Sequence, residues 1–328
     1  MLAEATARDW GLDVTRDETG VKVSVTGRAE GPTLGLVSHL DVVPPGEGWS
    51  RDPFMPVVEN GRLYGRGSGD AKASVAAMLT AARDVAAAGG PARGRLLVML
   101  GYGEETRHTS MPAAVASVGH IDAAIVGEPT NLDFAIAQRG LMMVDLVARG
   151  DQRHAGYASE GGFTNAVTAL ARDLILLDGL FADRVHPVLG RVTVTPTMLD
   201  GGISRNVTPP SARAVLDVRS TPDWTHEEIA DRLRGRLESE VTVTSARLVP
   251  CESPAGSRLV EVARRVRTES RTYGSPTCSD WVFLRHTDAV KCGPGTSRHS
   301  HTPDECVDLH EVTAARALYA RIATEYLA

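Results

Sequence analysis

No stretch of this 328-residue sequence is long and apolar enough to span a bilayer. Basic residues are not in excess either. Lys and Arg number 35 against 41 Asp and Glu, a formal net charge of -6, so the basic surface that nucleic acid calls for is not expected. Cysteine is scarce: Cys251, Cys278, Cys292 and Cys306 lack zinc-ribbon spacing and read as reduced, partly buried thiols of a cytoplasmic protein. The N-terminal MLAEATARDWGLDV starts an amphipathic helix and carries no signal-peptide pattern. There is no internal repeat and no low-complexity linker. What is present, 42% hydrophobic and 23% charged residues, is ordinary for a soluble enzyme whose length can bury a full core and form two domains.

Two textures divide the chain. In the first third, strand-like runs at 21–25, 33–37, 96–100 and 123–126 surround an Ala-rich helix at 74–88. Gly89-Gly90 closes that helix, since glycine takes the left-handed turn readily. Such alternation predicts an α/β domain with a mostly parallel sheet covered by helices. From Gly140 the order is strand (142–147), helix (165–177), strands (191–195, 212–219), helix (226–237) and a Val/Thr strand (241–244). This β-α-β-β-α-β order predicts a small α+β, ferredoxin-like sandwich with an antiparallel sheet. After Pro250 the first texture returns, with a short strand at 289–292 and a terminal helix. The expected division is 1–138 plus 250–328 for the larger domain, with 139–249 inserted into it.

The strands of the larger domain run into polar chemistry. SHLDVVP (38–44) sets His39 and Asp41 just past an apolar run whose interior disfavours both. The strand at 96–100 leads to Gly103-Glu104-Glu105, that at 123–126 to Gly127-Glu128-Pro129, and that at 289–292 to GPGTSRHSHTPDE with His299 and His301. GRGSGDAKAS delivers Asp70 to the start of the Ala-rich helix. No GK[ST] follows, so the Walker spacing fails and the glycines serve a tight turn. Alone, His39 reads as a hydrogen-bonded structural residue and the Glu pair as solvated surface. Placed together at successive strand ends they favour a site, because open α/β sheets bind ligands beyond the carboxyl ends of their strands. Imidazole and carboxylate suit zinc. One carboxylate bridging two ions about 3.5–4 Å apart makes a clamp used in hydrolysis.

HLDVVP, GRGSGDAKAS, GEET, GEPT and GPGTSRHSHTPDE, in this order, resemble the motifs of one family. It is the di-zinc metallopeptidase family of acetylornithine deacetylase, succinyl-diaminopimelate desuccinylase, aminoacylase and bacterial glutamate-releasing carboxypeptidase. The resemblance covers nearly the whole chain, with an N-terminus about one helix shorter than in typical members. It implies that His39, Asp70 and Glu128 hold one Zn2+ and that Asp70, Glu105 and His301 hold a second, with Co2+ or Mn2+ as substitutes. His299 is the rival of His301, but HTPDE aligns the latter with the ligand. Asp41 is implied to orient His39, as carboxylates behind metal ligands commonly do. Glu104 matches the general base that takes a proton from the attacking water.

The inserted domain resembles the family's lid or dimerisation domain, which implies a homodimer. Its RHAGYAS holds His154, matching the histidine that reaches the partner's active site and stabilises the oxyanion, although the family pattern is closer to HASxP. GGISRNVTPP and LDVRSTP resemble the family's asparagine and arginine motifs, at Asn206 and Arg219. Arg219 is implied to pair bidentately with the substrate carboxylate. The plain alternative is a surface arginine at a strand end, and Arg205, beside Asn206, could share the role. Ala73 stands where glycine is usual. Trp281 in Cys278-Ser279-Asp280-Trp281 stands where a small residue is usual, and is expected to shape the substrate pocket.

The implied reaction is hydrolysis of the amide joining an acyl group to the α-nitrogen of an amino acid. The substrate is then a small N-acyl amino acid or dipeptide, with no nucleic-acid or membrane partner. DAKA, VGEPT and HTPDE look nearest to acetylornithine, acetylcitrulline or acetyl-lysine deacetylases. The succinyl-diaminopimelate desuccinylase and a dipeptidase or carboxypeptidase remain open. A catalytically silent dimer would be favoured by a missing ligand or a missing Glu104, and none is missing; a metal-free binding module stays open, and metal analysis of the purified protein discriminates it.

Overall fold

The computed structural model describes residues 2–328. They divide into two compact units. One runs to Ile136 and resumes over Glu252–Tyr273 and Ser279–Ala328; the other comprises Ala137–Cys251 and Gly274–Cys278. Residues 274–278, which the sequence reading leaves with the larger domain, group with the second unit. There the Arg139 N–H donates to the Ser275 carbonyl at 3.1 Å.

The first unit is built on a twisted sheet. Its strands lie in the order Asp13–Asp17, Gly20–Thr26, Arg95–Gly101, Thr33–His39, Ala123–Val126 and Asp288–Lys291, followed by the strand that begins at Phe134. From Arg95–Gly101 to Asp288–Lys291 neighbouring strands are parallel, as the alternation of strand and helix predicts. These strands are buried from end to end or nearly so, which is why they read as continuous apolar runs rather than alternating ones. The antiparallel flank, where Asp13–Asp17 and Gly20–Thr26 form a hairpin, is an addition that the sequence reading lacks.

Register decides where the site falls. His39 lies opposite Gly101, Val37 opposite Val126, and Lys291 opposite Val126. The residues that follow therefore leave the sheet at one edge. The Ala73–Ala87 helix buries Val75, Met78, Leu79, Ala82 and Val85 against the sheet core. It lies close to the Glu128 turn because Gly127 has no side chain: a Cβ there would sit 2.5 Å from Met78 Cε and 2.8 Å from Ser74 Cβ. A small antiparallel sheet, also not foreseen, pairs Cys306 with Tyr64 and Val307 with Leu63. The segments 301–305 and 65–70 thus start from the same end of that sheet.

The second unit follows the β-α-β-β-α-β order. Its antiparallel sheet runs Thr193–Gly201, Ser211–Ser220, Gly140–Arg149, Glu240–Leu248. Gly140–Arg149 alternates buried and half-buried residues, the pattern of a sheet covered on one face. Met142, Val144, Leu146, Leu216 and Val218 form that face. Leu170 of helix Ala166–Leu176 and Ile229 and Leu233 of helix His226–Arg236 pack on it. Asn165 caps the first helix by accepting the Thr168 N–H at 3.1 Å, and Thr225 with Glu228 forms a capping box on the second. Among the described residues no helix is long and apolar enough to cross a membrane.

Candidate metal centre

His39, Asp41, Asp70, Glu104, Glu105, Glu128 and His301 meet at one place in the first unit. His39 closes its strand and is 1% exposed. Its Nε2 stands 3.3 Å from Asp70 Oδ1, and its Nδ1 faces the Asp41 carbonyl oxygen at 3.1 Å. That carbonyl is an acceptor only, so Nδ1 carries a proton and Nε2 is the nitrogen that faces the cluster. His301 Nε2 lies 3.1 Å from Glu105 Oε1 and 3.7 Å from Asp70 Oδ2. Its φ of 63° is a left-handed backbone that side chains other than glycine rarely take, a strain common at functional sites. Potential donor atoms form three groups, each within 4.8 Å: His39, Asp70, Glu128; Asp70, Glu105, His301; and His39, Glu104, Glu105. Asp70, His39 and Glu105 each belong to two of them, and Asp70 is the one shared by the groups that hold Glu128 and His301.

The carboxylate of Asp41 does something the sequence reading did not assign. It stays 3.6 Å from His39 Nδ1, beyond hydrogen-bond range. Its oxygens instead accept the backbone N–H groups of Glu104 at 3.2 Å and Glu105 at 3.1 Å. The contact that orients His39 is made by the Asp41 main chain.

So much negative charge in one place shifts the titration of several members. Burial and the neighbouring Asp70 carboxylate push Glu128 up to about 8. Burial, then Glu128, raises Glu104 well above the usual carboxylate range. Burial opposes charge on His39, but the nearby carboxylates of Asp41 and Asp70 outweigh it and hold the imidazole well above its ordinary value. Asp41, despite burial, is held down to about 2 by His39 and by the Glu105 N–H. The cluster is thus an acceptor-rich, low-dielectric pocket in which added positive charge relieves repulsion.

Three further contacts went unnoticed in the sequence. Glu305, of the quoted HTPDE, accepts the Asp70 N–H at 2.9 Å and pairs with buried Arg66. His108 Nδ1 lies 2.9 Å from Asp280 Oδ1 and 3.9 Å from Glu104 Oε1. Lys72, of the DAKA motif, feels Glu305, Asp41 and Asp70, although burial dominates and lowers its pKa. Trp281, expected to shape a substrate pocket, is 0% exposed and belongs to the packed interior. His299 points its Nδ1 at Cys306 Sγ, 3.9 Å away.

The remaining candidates lie in the second unit. His154 is exposed and its Nδ1 accepts the Gly156 N–H at 3.0 Å. The Asn206 segment lies alongside: the Ala155 N–H donates to the Asn206 carbonyl at 2.8 Å, and His154 bridges to Val207. Arg205 is exposed. Arg219 forks onto Asp217, with Nε and Nη2 at 2.7 and 3.0 Å from its two carboxylate oxygens. Its bidentate geometry is therefore occupied within the unit itself.

Comparison with known proteins agrees with this architecture. Residues 35–325 match the family described as Peptidase family M20/M25/M40. A succinyl-diaminopimelate desuccinylase 2 from Ruegeria sp. (strain TM1040) is 32% identical over 324 residues, covering 90% of this chain and 80% of that protein. A succinyl-diaminopimelate desuccinylase from Cereibacter sphaeroides (strain ATCC 17029 / ATH 2.4.9) is 32% identical over 351 residues, covering 97% of this chain and 90% of that one. Among solved structures, the aminopeptidase PepT from Bacillus cereus ATCC 10987 superposes with a TM-score of 0.80 at 19% identity, covering 99% of this chain and 91% of that chain. A dinuclear metal binding peptidase of the M20 family from Bacillus subtilis does so with a TM-score of 0.73 at 16% identity, covering 99% and 92%. The chain belongs to the M20/M25/M40 peptidase family and is a hydrolase of amide bonds.

Proposed function

We propose that this protein is a two-metal amidohydrolase that removes a succinyl group from the nitrogen of a diaminopimelate-like amino acid. The observation that carries the metal reading is the place of Asp70 in two three-residue donor groups, with His39 and Glu128 on one side and Glu105 and His301 on the other. The donor chemistry fits: two imidazoles and three carboxylates are a nitrogen and oxygen set suited to Zn2+, with Co2+ or Mn2+ as substitutes. Burial, then repulsion from Asp70, pushes Glu128 up to about 8, and a dication would offset that repulsion. Bound metal ions supply Lewis-acid activation of water and polarisation of the amide carbonyl.

The chain's own residues would do the rest. Glu104, raised by burial and by Glu128, is suited to take the proton of the attacking water and hand it to the leaving amine. Asp41 fixes its backbone, and the His108–Asp280 pair packs near its carboxylate. We assign the second unit to dimer formation and His154 to the partner's site, where it would stabilise the oxyanion. Support comes from strand Thr193–Gly201, which ends its sheet and exposes Met198 and Leu199. Arg205 and Asn206 are proposed to bind the substrate. Arg219 can do so only by exchanging Asp217 for the substrate carboxylate. The free thiols suit the cytoplasm.

The acyl group separates two readings. The motif texture favours acetylornithine-type deacetylation, whereas the curated relatives at 32% identity support the desuccinylase. We adopt the latter. Zinc-loaded protein should hydrolyse N-succinyl-diaminopimelate with kcat/KM at least ~10-fold above that for N-acetylornithine. The reverse ranking would restore the deacetylase. For the dimer, His154→Ala and Glu104→Ala, each inactive alone, should regain activity when mixed if subunits exchange, and proven heterodimers without activity would remove the partner role.

A further inference from the structure

Glu305 and Arg66 form a buried ion pair, each side chain 1% exposed, that hydrogen-bonds to the backbone around the candidate ligands. Glu305 Oε2 accepts from Arg66 Nη1 at 2.5 Å. Its Oε1 accepts the N–H groups of Gly69 at 3.0 Å and Asp70 at 2.9 Å. The Glu305 carbonyl accepts from the Gly65 N–H at 3.0 Å and from the Ser68 hydroxyl at 3.2 Å. Arg66 Nη2 donates to the Pro45 carbonyl at 3.0 Å. One pair thereby joins three segments: the turn that follows His39 and Asp41, the turn that carries Asp70, and the loop that carries His301.

Stability alone does not account for such a pair. Taking two charges out of water costs about as much as their attraction returns, and apolar residues of similar volume often serve a core as well. What apolar residues cannot do is accept two consecutive backbone N–H groups and so fix the direction in which the Asp70 side chain leaves its turn. That direction matters because Asp70 has to face His39 Nε2 at 3.3 Å with one oxygen and His301 Nε2 at 3.7 Å with the other. A turn free to rotate would present it to one histidine or the other.

We propose that Glu305, held by Arg66, is a positioning residue that sets Asp70 between the two donor groups, so that a single carboxylate serves both metal sites. The inference rests on the two-metal reading above. It carries a signature that loss of a ligand does not. Glu105 belongs with Asp70 and His301, so Glu105→Gln should weaken chiefly that site. Disturbing Glu305 should weaken both sites together.

The test is a zinc titration of metal-free protein by calorimetry for wild type, Glu305→Gln, Glu305→Asp and Glu105→Gln. Circular dichroism and thermal unfolding are recorded on the same metal-free samples. Glu305→Gln keeps one oxygen for the backbone but turns an amide N–H2 toward Arg66. Glu305→Asp keeps the charge but is shorter by about 1.5 Å, one carbon–carbon bond. In folded samples both zinc affinities should fall together by at least ~10-fold, the range typical of groups that orient metal ligands. The kcat of the loaded enzyme should fall with them while KM changes little. Should Glu305→Gln not fold, Glu305→Asp carries the test. Zinc affinities within ~3-fold of wild type in a folded variant, or a loss at one site only, would overturn the positioning role. A wild type that binds no zinc would overturn the metal reading itself, and the positioning role with it.

Discussion

One carboxylate oxygen of Asp41 accepts the backbone N–H of Glu105 at 3.1 Å, although the two residues are 64 positions apart in the chain. The other oxygen takes the N–H of Glu104 at 3.2 Å. Asp41 is thus the bridge by which the end of the His39 strand fixes both glutamates. Parallel pairing of Thr33–His39 with Arg95–Gly101 brings the two loops out side by side.

Asp41→Asn should therefore disturb the glutamates more than His39. The amide keeps one acceptor but opposes a donor to the second N–H, and the negative charge is lost. The His39 contact runs through the Asp41 carbonyl and survives. Metal affinity or kcat should drop by about 10–100-fold. Calorimetric metal titration beside steady-state kinetics checks it, and wild-type values for both would assign the carboxylate no role.

Much of this arrangement could be read in advance because it rests on local pattern. The apolar runs that become central strands and the Ala-rich helix are periodic. The polar residues at strand ends are conspicuous against such runs, and His39, Asp70, Glu105, Glu128 and His301 do meet. Contacts without a local pattern were hidden. Glu305 looks like a solvated loop acid until the pairing of Cys306 with Tyr64 carries it beneath Asp70. Asp280 and His108, 172 residues apart, have no reason to meet until the helix Met111–Val118 and the turn Asp280–Leu284 pack together. Trp281, an uncommon residue in its motif, suggests specificity, but it lies in the packed interior.

The rival histidines of the 293–305 loop should separate cleanly. His301 faces Glu105 and Asp70, while His299 faces the Cys306 thiol. His301→Ala should lose about one of two bound ions by elemental analysis, and His299→Ala about none, as a tetrahedral site tolerates the loss of a ligand poorly. Equal loss in both variants would show that the loop offers either residue.

The second unit should carry a pH signature of its own. His226 is buried, with Nδ1 2.7 Å from the Ala246 carbonyl and Nε2 2.7 Å from the Ser220 hydroxyl. The carbonyl must receive the Nδ1 proton, and when the ring is neutral Nε2 accepts from the Ser220 hydroxyl. Burial lowers its pKa, against the Ala246 contact. The folded state therefore takes up this proton at lower pH than the unfolded state. The contribution of His226 is complete above the unfolded value of about 6.5 and is lost as pH falls from there through the folded value. The melting-temperature gap between wild type and His226→Asn should be larger at about pH 7.5 than at about pH 5.5. A gap that widens on acidification would mean that the fold favours the charged ring.

The adjacent glutamates should divide the chemistry between them, although a purely electrostatic view treats them as equals. Both give their N–H to Asp41, yet their side chains meet different partners. Glu105 meets His301 at 3.1 Å, while Glu104 lies 3.9 Å from His108 and is raised chiefly by burial and then by Glu128. The two residues share a turn closed by hydrogen bonds to the Gly103 carbonyl, so their different partners, not strand alternation, divide a metal-facing role from a water-facing one. Glu105→Gln should lower metal content, because a neutral amide replaces a charged donor. Glu104→Gln should keep its metals and its KM and lose at least about 10²-fold in kcat, since an amide cannot take the water's proton. Metal content measured beside kinetics for both variants decides the matter. A fully metallated Glu104→Gln enzyme with near-normal kcat would leave the fold and the metal centre standing and remove the general base.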